Sequence, residues 1–242
     1  MPTQELALRL YCYGRKPASP IWQRRLANET AVRQYLGQIA GGAAEAALDR
    51  SWNEVAHPRN RTYWRVWRPR HDGSGSNAGY KLYISADPAS LPEVFPVVVA
   101  SLADGPGVRA FKVGRDVFGL CRPDNLVVYF SHLEDLHAAA SRLTDRLKGS
   151  RACGVPFTAE VTRDGLLSWG IDPPPEHRFR QAGSWRLWVV GRLAEYLVTA
   201  RTTAASAAEP WRFALDRLSV DGIDTDTWVP ESRIFGWAKA SG

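Results

Sequence analysis

The sequence predicts an α+β fold, with an antiparallel or mixed sheet flanked by helices. Three observations point there. Short runs of β-branched and aromatic residues recur through the middle of the chain, and amphipathic helical stretches fall between some of them but not all. The apolar share is 45%, with aromatics at 11%, which is enough for a packed core and too much for a disordered chain. The strict strand–helix alternation of a doubly wound parallel sheet is missing. At 242 residues the chain suits one large domain or two small ones. Residues 1–71 read as a mixed N-terminal region packed on a main α+β domain over residues 72–242.

Taken in order, Asn28–Arg50 has helical composition, with Leu36, Ile39, Ala43, Ala44 and Ala47 at helical spacing and Gly41-Gly42 as a break point. Arg61–Arg70 (RTYWRVWRPR) alternates as a strand and predicts a tryptophan face in the core with an arginine face in water. His71–Gly79 is a loop by composition. Tyr80–Ser85 is a strand. Ser90-Leu-Pro-Glu93 has the form of a capping box opening a helix to about Leu102, bent at Pro96. Val108–Val113 and Asn125–Phe130 are strands. Leu133–Lys148 is an amphipathic helix carrying Leu136, Ala140, Leu143 and Leu147 on one face. Val155–Thr162 reads as a fourth strand and LLSWG (Leu166–Gly170) as a short fifth. Past the prolines at 173–175, Ser184–Thr202 is a second strong helix with Ser184 as N-cap.

Several function classes are excluded by what the sequence lacks. It has no GxGxxG, phosphate-loop, GxSxG, HExxH or CxxC pattern. His132 and His137 read as solvated helix residues, and Cys12, Cys121 and Cys153 share no ligand spacing. No apolar run reaches the roughly 18 residues that span a bilayer, and MPTQELALRL has no signal-peptide pattern. A cytoplasmic protein with no membrane partner is the expectation. The net charge of +6 suggests an acidic partner. The arginine–tryptophan interleaving at 61–70 suits nucleic acid or a peptide-binding edge, but no nucleic-acid module is visible and the 25 acidic residues are dispersed.

The charge is carried by arginine: only five of the 31 cations are lysine, at 16, 81, 112, 148 and 239. Two of these sit in strands among apolar residues, in Tyr80-Lys81-Leu82-Tyr83 and Phe111-Lys112-Val113. Such a lysine points either to a solvated face or into a cleft, and spacing alone favours the solvated face. Its company favours the cleft. Arg115 follows Lys112 by three, Arg122 opens the turn before the next strand, and that strand carries Tyr129 near its end. Arginine gives paired donors to a phosphate dianion, and neighbouring cations favour the neutral amine of a lysine, the form that takes a proton.

At these residues the chain resembles a known group of enzymes. GYKLYISADPASLPEVFPVVVASL followed by RAFKVGRD is similar to the lyase domain of class III and class IV lanthipeptide synthetases, itself similar to the phosphothreonine lyases of enteric pathogens. RPDNLVVYF, GVPFTAEVTRDGLLSWGIDPP and GSWRLWVVGRL resemble the HopA-type effector family, which also occurs in class V lanthipeptide and thioamide-peptide gene clusters. The resemblance covers about residues 79–200. It implies β-elimination of phosphate from a kinase-modified serine or threonine of a precursor peptide, leaving dehydroalanine or dehydrobutyrine without a cofactor. It implies Lys112 as general base, Lys81 beside the phosphate, and Arg122, Tyr129 and Arg163 as phosphate-binding residues; Arg115 joins the phosphate-binding candidates by its spacing from Lys112. The implied partners are a phosphorylated precursor peptide and a kinase. One position departs from the pattern: the family's acid histidine is Tyr83 here. Either Tyr83 donates the proton in its place, or the chain is a non-catalytic or cyclase-assisting peptide-binding subunit of such a pathway, with the N-terminal region as its interaction surface. An effector acting on phosphorylated cellular proteins is a third reading.

Overall fold

In the computed structural model, residues 1–55, 63–70, 79–103, 105–173, 184–202 and 209–235 are described. Helices α1 (Thr3–Tyr11), α2 (Pro20–Arg25), α3 (Glu29–Tyr35) and α4 (Glu45–Ser51) come first, followed by strands β1 (Trp52–Val55), β2 (Trp64–Pro69) and β3 (Tyr80–Ile84). After a 3₁₀ turn at Pro88–Ser90 come α5 (Leu91–Ala103), β4 (Val108–Gly114), α6 (Val117–Leu120), β5 (Leu126–Phe130) and α7 (Leu133–Arg146). The chain continues with β6 (Ala159–Glu160), β7 (Leu167–Ile171), α8 (Trp185–Thr202), α9 (Pro210–Val220) and α10 (Ser232–Phe235). The strands lie in the order β1-β2-β4-β5-β3-β7-β6, and the pairs β1–β2, β2–β4, β4–β5 and β3–β5 are antiparallel. The fold is α+β.

The chain divides into two compact units. One comprises residues 14–155 and 161–168, and the other residues 1–13, 156–160 and 169–242. Residues 1–71 are therefore shared between them, and β1 and β2 belong to the same sheet as β4 and β5.

In the larger unit the register sorts side chains between two faces of the sheet. Trp67 pairs with Phe111, and Phe111 with Val128, so these residues share one face with Leu82, Val113 and Leu126. That face is the core. Phe111 lies between Trp52 and Trp67, with ring centroids at 4.8 and 5.0 Å, and Phe95 of α5 closes over it at 6.3 Å. Helix α7 packs on β3 and β5 through the stripe Leu136, Ala140 and Leu143, all buried. A bulge at Arg109 adds one residue to β4, which lets Val108 and Phe111 both point inward.

The other unit is built on helices. Helix α8 packs against α1 and α9, and Trp185, Trp188 and Phe235 form a ring cluster with centroids 5.5–5.6 Å apart. Arg186 is fully buried there. Its guanidinium donates through Nε to the carbonyl of Pro156 (3.2 Å) and through one terminal nitrogen to that of Tyr11 (3.0 Å), so backbone dipoles face the charge. Between α8 and α9, the Tyr196 hydroxyl donates to Asp221 at 2.6 Å; burial and that carboxylate push its pKa up to about 12.

Four local expectations are corrected. The helix over Asn28–Arg50 is two helices. Asn28 caps α3 through Ala31 N–H, and the chain then turns at Gly37 with φ +65, before Gly41-Gly42 is reached. The helix after β3 is led in by Asp87, whose carboxylate accepts from Ala89 N–H, with Ser90 inside the turn. The fourth strand shrinks from Val155–Thr162 to Ala159–Glu160. The faces of β2 are not segregated into tryptophan and arginine, because Arg65 shares the core face with Trp67. Part of the Arg61–Arg70 stretch, the loop at 71–78 and Pro174-Pro175 lie outside the described residues. His132 and His137 are exposed, and Ser184 Oγ accepts from Leu187 N–H at the start of α8, both in line with the sequence.

Arg65 is held in the core by charge pairing and stacking. Its side chain is 2% exposed, lies 4.9 Å over the Trp67 ring, and gives two hydrogen bonds to Glu54 at 3.0 and 2.7 Å. Gln38 accepts a further one. Burial pushes the Glu54 carboxyl up, but the hydrogen bonds and charge of Arg65, with that of Arg33, outweigh it and leave the carboxyl below its ordinary value of 4.5. A depressed carboxylate stabilises the fold above its unfolded value, and that contribution disappears as pH falls through the folded one. Glu54→Gln is therefore expected to cost about 2 kcal/mol at pH 7, because it leaves a buried cation underpaired. The deficit should shrink below pH 4 in urea titrations. A deficit that stays constant down to pH 3 would show that the pair contributes nothing.

Candidate functional site

The opposite face of the same strands is polar. Lys112 pairs with Val127, which pairs with Tyr83; one step along, Lys81 pairs with Tyr129, which pairs with Ala110. Side chains two apart on a strand share a face, so Lys81, Tyr83, Lys112, Val127 and Tyr129 all emerge together. Trp64 joins them from β2, where it pairs with Gly114.

Two lysines converge on one ring. Lys81 Nζ lies 5.6 Å and Lys112 Nζ 5.5 Å from the Tyr129 ring centroid. Lys112 Nζ also sits 4.2 Å from the Trp64 ring, and the Arg122 guanidinium lies 5.1 Å from that ring. These are cation–π distances. Lys81 is buried at 4% exposure, and Lys112, Tyr129 and Trp64 are half-buried. Tyr83 is buried among Val127 and Val155, with Tyr129 against the same cluster.

Arg122 reaches this face because two glycines let α6 approach the sheet. A Cβ on Gly114 would lie 2.4 Å from the Gly119 carbonyl carbon and 2.5 Å from Leu120 N. A Cβ on Gly119 would lie 2.7 Å from the Tyr63 carbonyl oxygen and 2.8 Å from Gly114 Cα. Only glycines allow backbones this close. Asp116 caps α6 through Gly119 N–H, and the chain then delivers Arg122 over Trp64. There Arg122 makes a two-pronged pair with Asp124, at 2.8 and 2.9 Å, with both residues buried. This geometry fixes the guanidinium plane.

Two of the residues singled out in the sequence fall elsewhere. Arg115 has the strand parity of the core face and is engaged by Glu29 at 2.7 and 3.0 Å, in the network that includes Arg65. The Arg115 hydrogen bond holds the Glu29 carboxyl below its ordinary value. Arg115 is thus tied into a structural charge network, since three residues from Lys112 along a strand is the wrong parity to share its face. Arg163 is exposed in the turn before β7, and no contact joins it to the cluster. Two further residues contribute. Residue type alone puts Trp64 in the core, whereas its parity with Val66 and Arg68 opposes that of Trp67 and turns it to this face. Asp124 is signalled only by Arg-x-Asp at the mouth of a turn, a spacing that permits pairing.

The cluster brings three cations, one carboxylate and two aromatic rings together on one sheet face, a setting that suits a small dianion next to a group able to move a proton. Among the described residues, no group of three or more His, Cys, Asp or Glu side chains is placed to hold a metal, and no helix is long and apolar enough to cross a membrane.

No protein-family model matches the sequence, and no curated protein matches it. Solved structures do. The effector protein from Pseudomonas syringae pv. syringae strain 61 has a TM-score of 0.51 at 12% identity, over 95% of this chain and 95% of its own, which shows a shared fold. The phosphothreonine lyase SpvC, an effector from Salmonella, has a TM-score of 0.44 at 15% identity, over 77% of this chain and 95% of its own. The VirA (SpvC) phosphothreonine lyase effector of Chromobacterium violaceum has a TM-score of 0.41 at 16% identity, over 57% and 77%.

The glycine contact makes the site sensitive to one methyl group. Gly114→Ala is expected to destabilise the protein by about 1–3 kcal/mol through overpacking. It should also make the Arg122–Asp124 region more open to amide hydrogen exchange. Unchanged exchange at residues 119–124 would show that α6 is placed by something else.

Proposed function

We propose that this chain is a phosphoserine/phosphothreonine lyase that β-eliminates phosphate from a kinase-modified precursor peptide. The observation that carries the reading is the convergence of Lys81 and Lys112 on Tyr129, with Arg122 beside them on the same face. The sequence resemblance over residues 79–200 supports the same reaction.

The roles follow from placement. Lys112 is half-buried between two rings, accessible enough to meet a substrate and close enough to other cations for its neutral amine to be available. As a neutral amine it takes the α-proton of the phosphorylated residue. The C–H electron pair becomes the Cα=Cβ bond, the Cβ–O bond breaks, and its pair leaves on the phosphate oxygen. Lys81 and Arg122 hold the phosphate, Lys81 as a point charge and Arg122 by directed N–H donors. Tyr83, two residues from Lys81 on the same face, gives its hydroxyl proton to the departing oxygen and recovers one from water. The products are a dehydroamino acid and inorganic phosphate, with the proton on Lys112 lost to solvent. The substrate is a phosphorylated peptide supplied by a partner kinase, in lanthipeptide-type biosynthesis in the cytoplasm.

A second reading has its own support. Arg122 is already neutralised by Asp124, and the Tyr83 ring is packed among apolar side chains, an arrangement that also suits a subunit binding the peptide without eliminating phosphate.

Phosphate release and a mass decrease of a phosphothreonine peptide, measured with purified protein, separate the two. Lys112→Ala is expected to keep the fold and lower the rate by about 10²–10⁴-fold, the usual scale for a general base. Wild-type protein that binds the phosphopeptide and leaves its mass unchanged would establish the binding subunit instead. Tyr83→Phe is expected to slow release with Lys112 intact, and full activity would remove Tyr83 from the mechanism.

A further inference from the structure

We propose that Trp64 is a positioning residue for Lys112. Its indole holds both the Lys112 ammonium and the Arg122 guanidinium against one residue, so that proton acceptor and anion holder keep a fixed separation. The relevance to catalysis rests on the lyase reading above; the hold itself does not.

Three observations carry this. Lys112 Nζ is 4.2 Å from the Trp64 ring centroid, closer than the 5.5 Å separating it from Tyr129. The Arg122 guanidinium is 5.1 Å from the same indole. And the strand around Trp64 is itself fixed. Its cross-strand partner is Gly114, and the preceding carbonyl, of Tyr63, accepts from Arg115 N–H at 2.8 Å and lies where any Gly119 side chain would go. The ring that touches both cations is thus anchored by the same glycine contact that delivers Arg122.

The physics gives the role a direction. An indole face attracts a cation more strongly than any other side-chain ring. It therefore holds Lys112 beside Arg122, whose charge is paired with Asp124, and favours the ammonium over the amine at Lys112. Removing the indole leaves the cations to separate and makes the Lys112 amine lose its proton at lower pH.

The hold is read directly by competitive acylation of lysines across a pH series, with peptide mapping of each site, in the full-length protein. Trp64→Leu is expected to move the Lys112 labelling midpoint by about half a pH unit to lower pH, and Trp64→Phe by less, since its ring is a weaker partner. Lys81, which lies over Tyr129, should keep its midpoint and serves as the control for the fold. An unchanged Lys112 midpoint in both variants overturns the proposal, as does a parallel movement of Lys81, which would mark a general loosening. The phosphopeptide assay adds a second reading. The acidic limb of the rate profile should shift to lower pH in Trp64→Phe with kcat reduced severalfold. Wild-type protein that releases no phosphate would sink the lyase reading while the labelling still decides the role of Trp64.

Discussion

Everything about the larger unit follows from the period-two alternation of four strands locked in antiparallel register around β5. Tyr83, Val127 and Lys112 form one row across the sheet, and Lys81, Tyr129 and Ala110 the next. A slip of one residue in either pairing of β5 would turn lysines into the aromatic core and phenylalanines toward the site. The core face resists that slip, because Phe111 is packed between Trp52, Trp67 and Phe95 and has no second place to go. The site is precise because the core behind it is.

The buried cations are handled in three ways. Arg65, in the core, is neutralised by Glu54 and stacked on Trp67. Arg122, at the site, is paired with Asp124 while its plane rests on Trp64. Arg186, in the helical unit, is held by two backbone carbonyls and the Tyr11 ring. In each case an aromatic face accompanies the directed bonds, which explains why a chain so rich in arginine is also rich in tryptophan: the planar, weakly hydrated guanidinium stacks on rings as an ammonium does not. The two site lysines differ. Both rest on the Tyr129 ring of β5, and Lys112 also on the Trp64 ring of β2, as compact point charges rather than stacked planes.

Much of the fold was legible before any coordinates. The strands at Tyr80–Ile84, Val108–Gly114 and Leu126–Phe130, and the helices at Leu133–Arg146 and Trp185–Thr202, are strongly patterned and appear where the sequence puts them. The misreadings have physical causes. Helical composition over Asn28–Arg50 could not reveal that Gly37 turns the chain through a left-handed conformation. Alternation at β2 was read by residue type, tryptophan in and arginine out, whereas the register sends Trp67 and Arg65 inward together because Glu54 waits there to pair. Arg115 was grouped with Lys112 by proximity along the chain, when three residues on a strand means the opposite face.

Fold class, the rarity of lysine and the importance of Lys81 and Lys112 are legible along the chain, because local propensity and composition are properties of neighbours. Which cations meet depends on how the strands pair. Lys81 and Lys112 share Tyr129 through strand register, and Lys112 shares Trp64 with Arg122 through the contact between Gly114 and Gly119. Strand pairing, not chain neighbourhood, makes those meetings, and no pattern along a chain encodes which backbones will touch where glycine leaves no side chain between them.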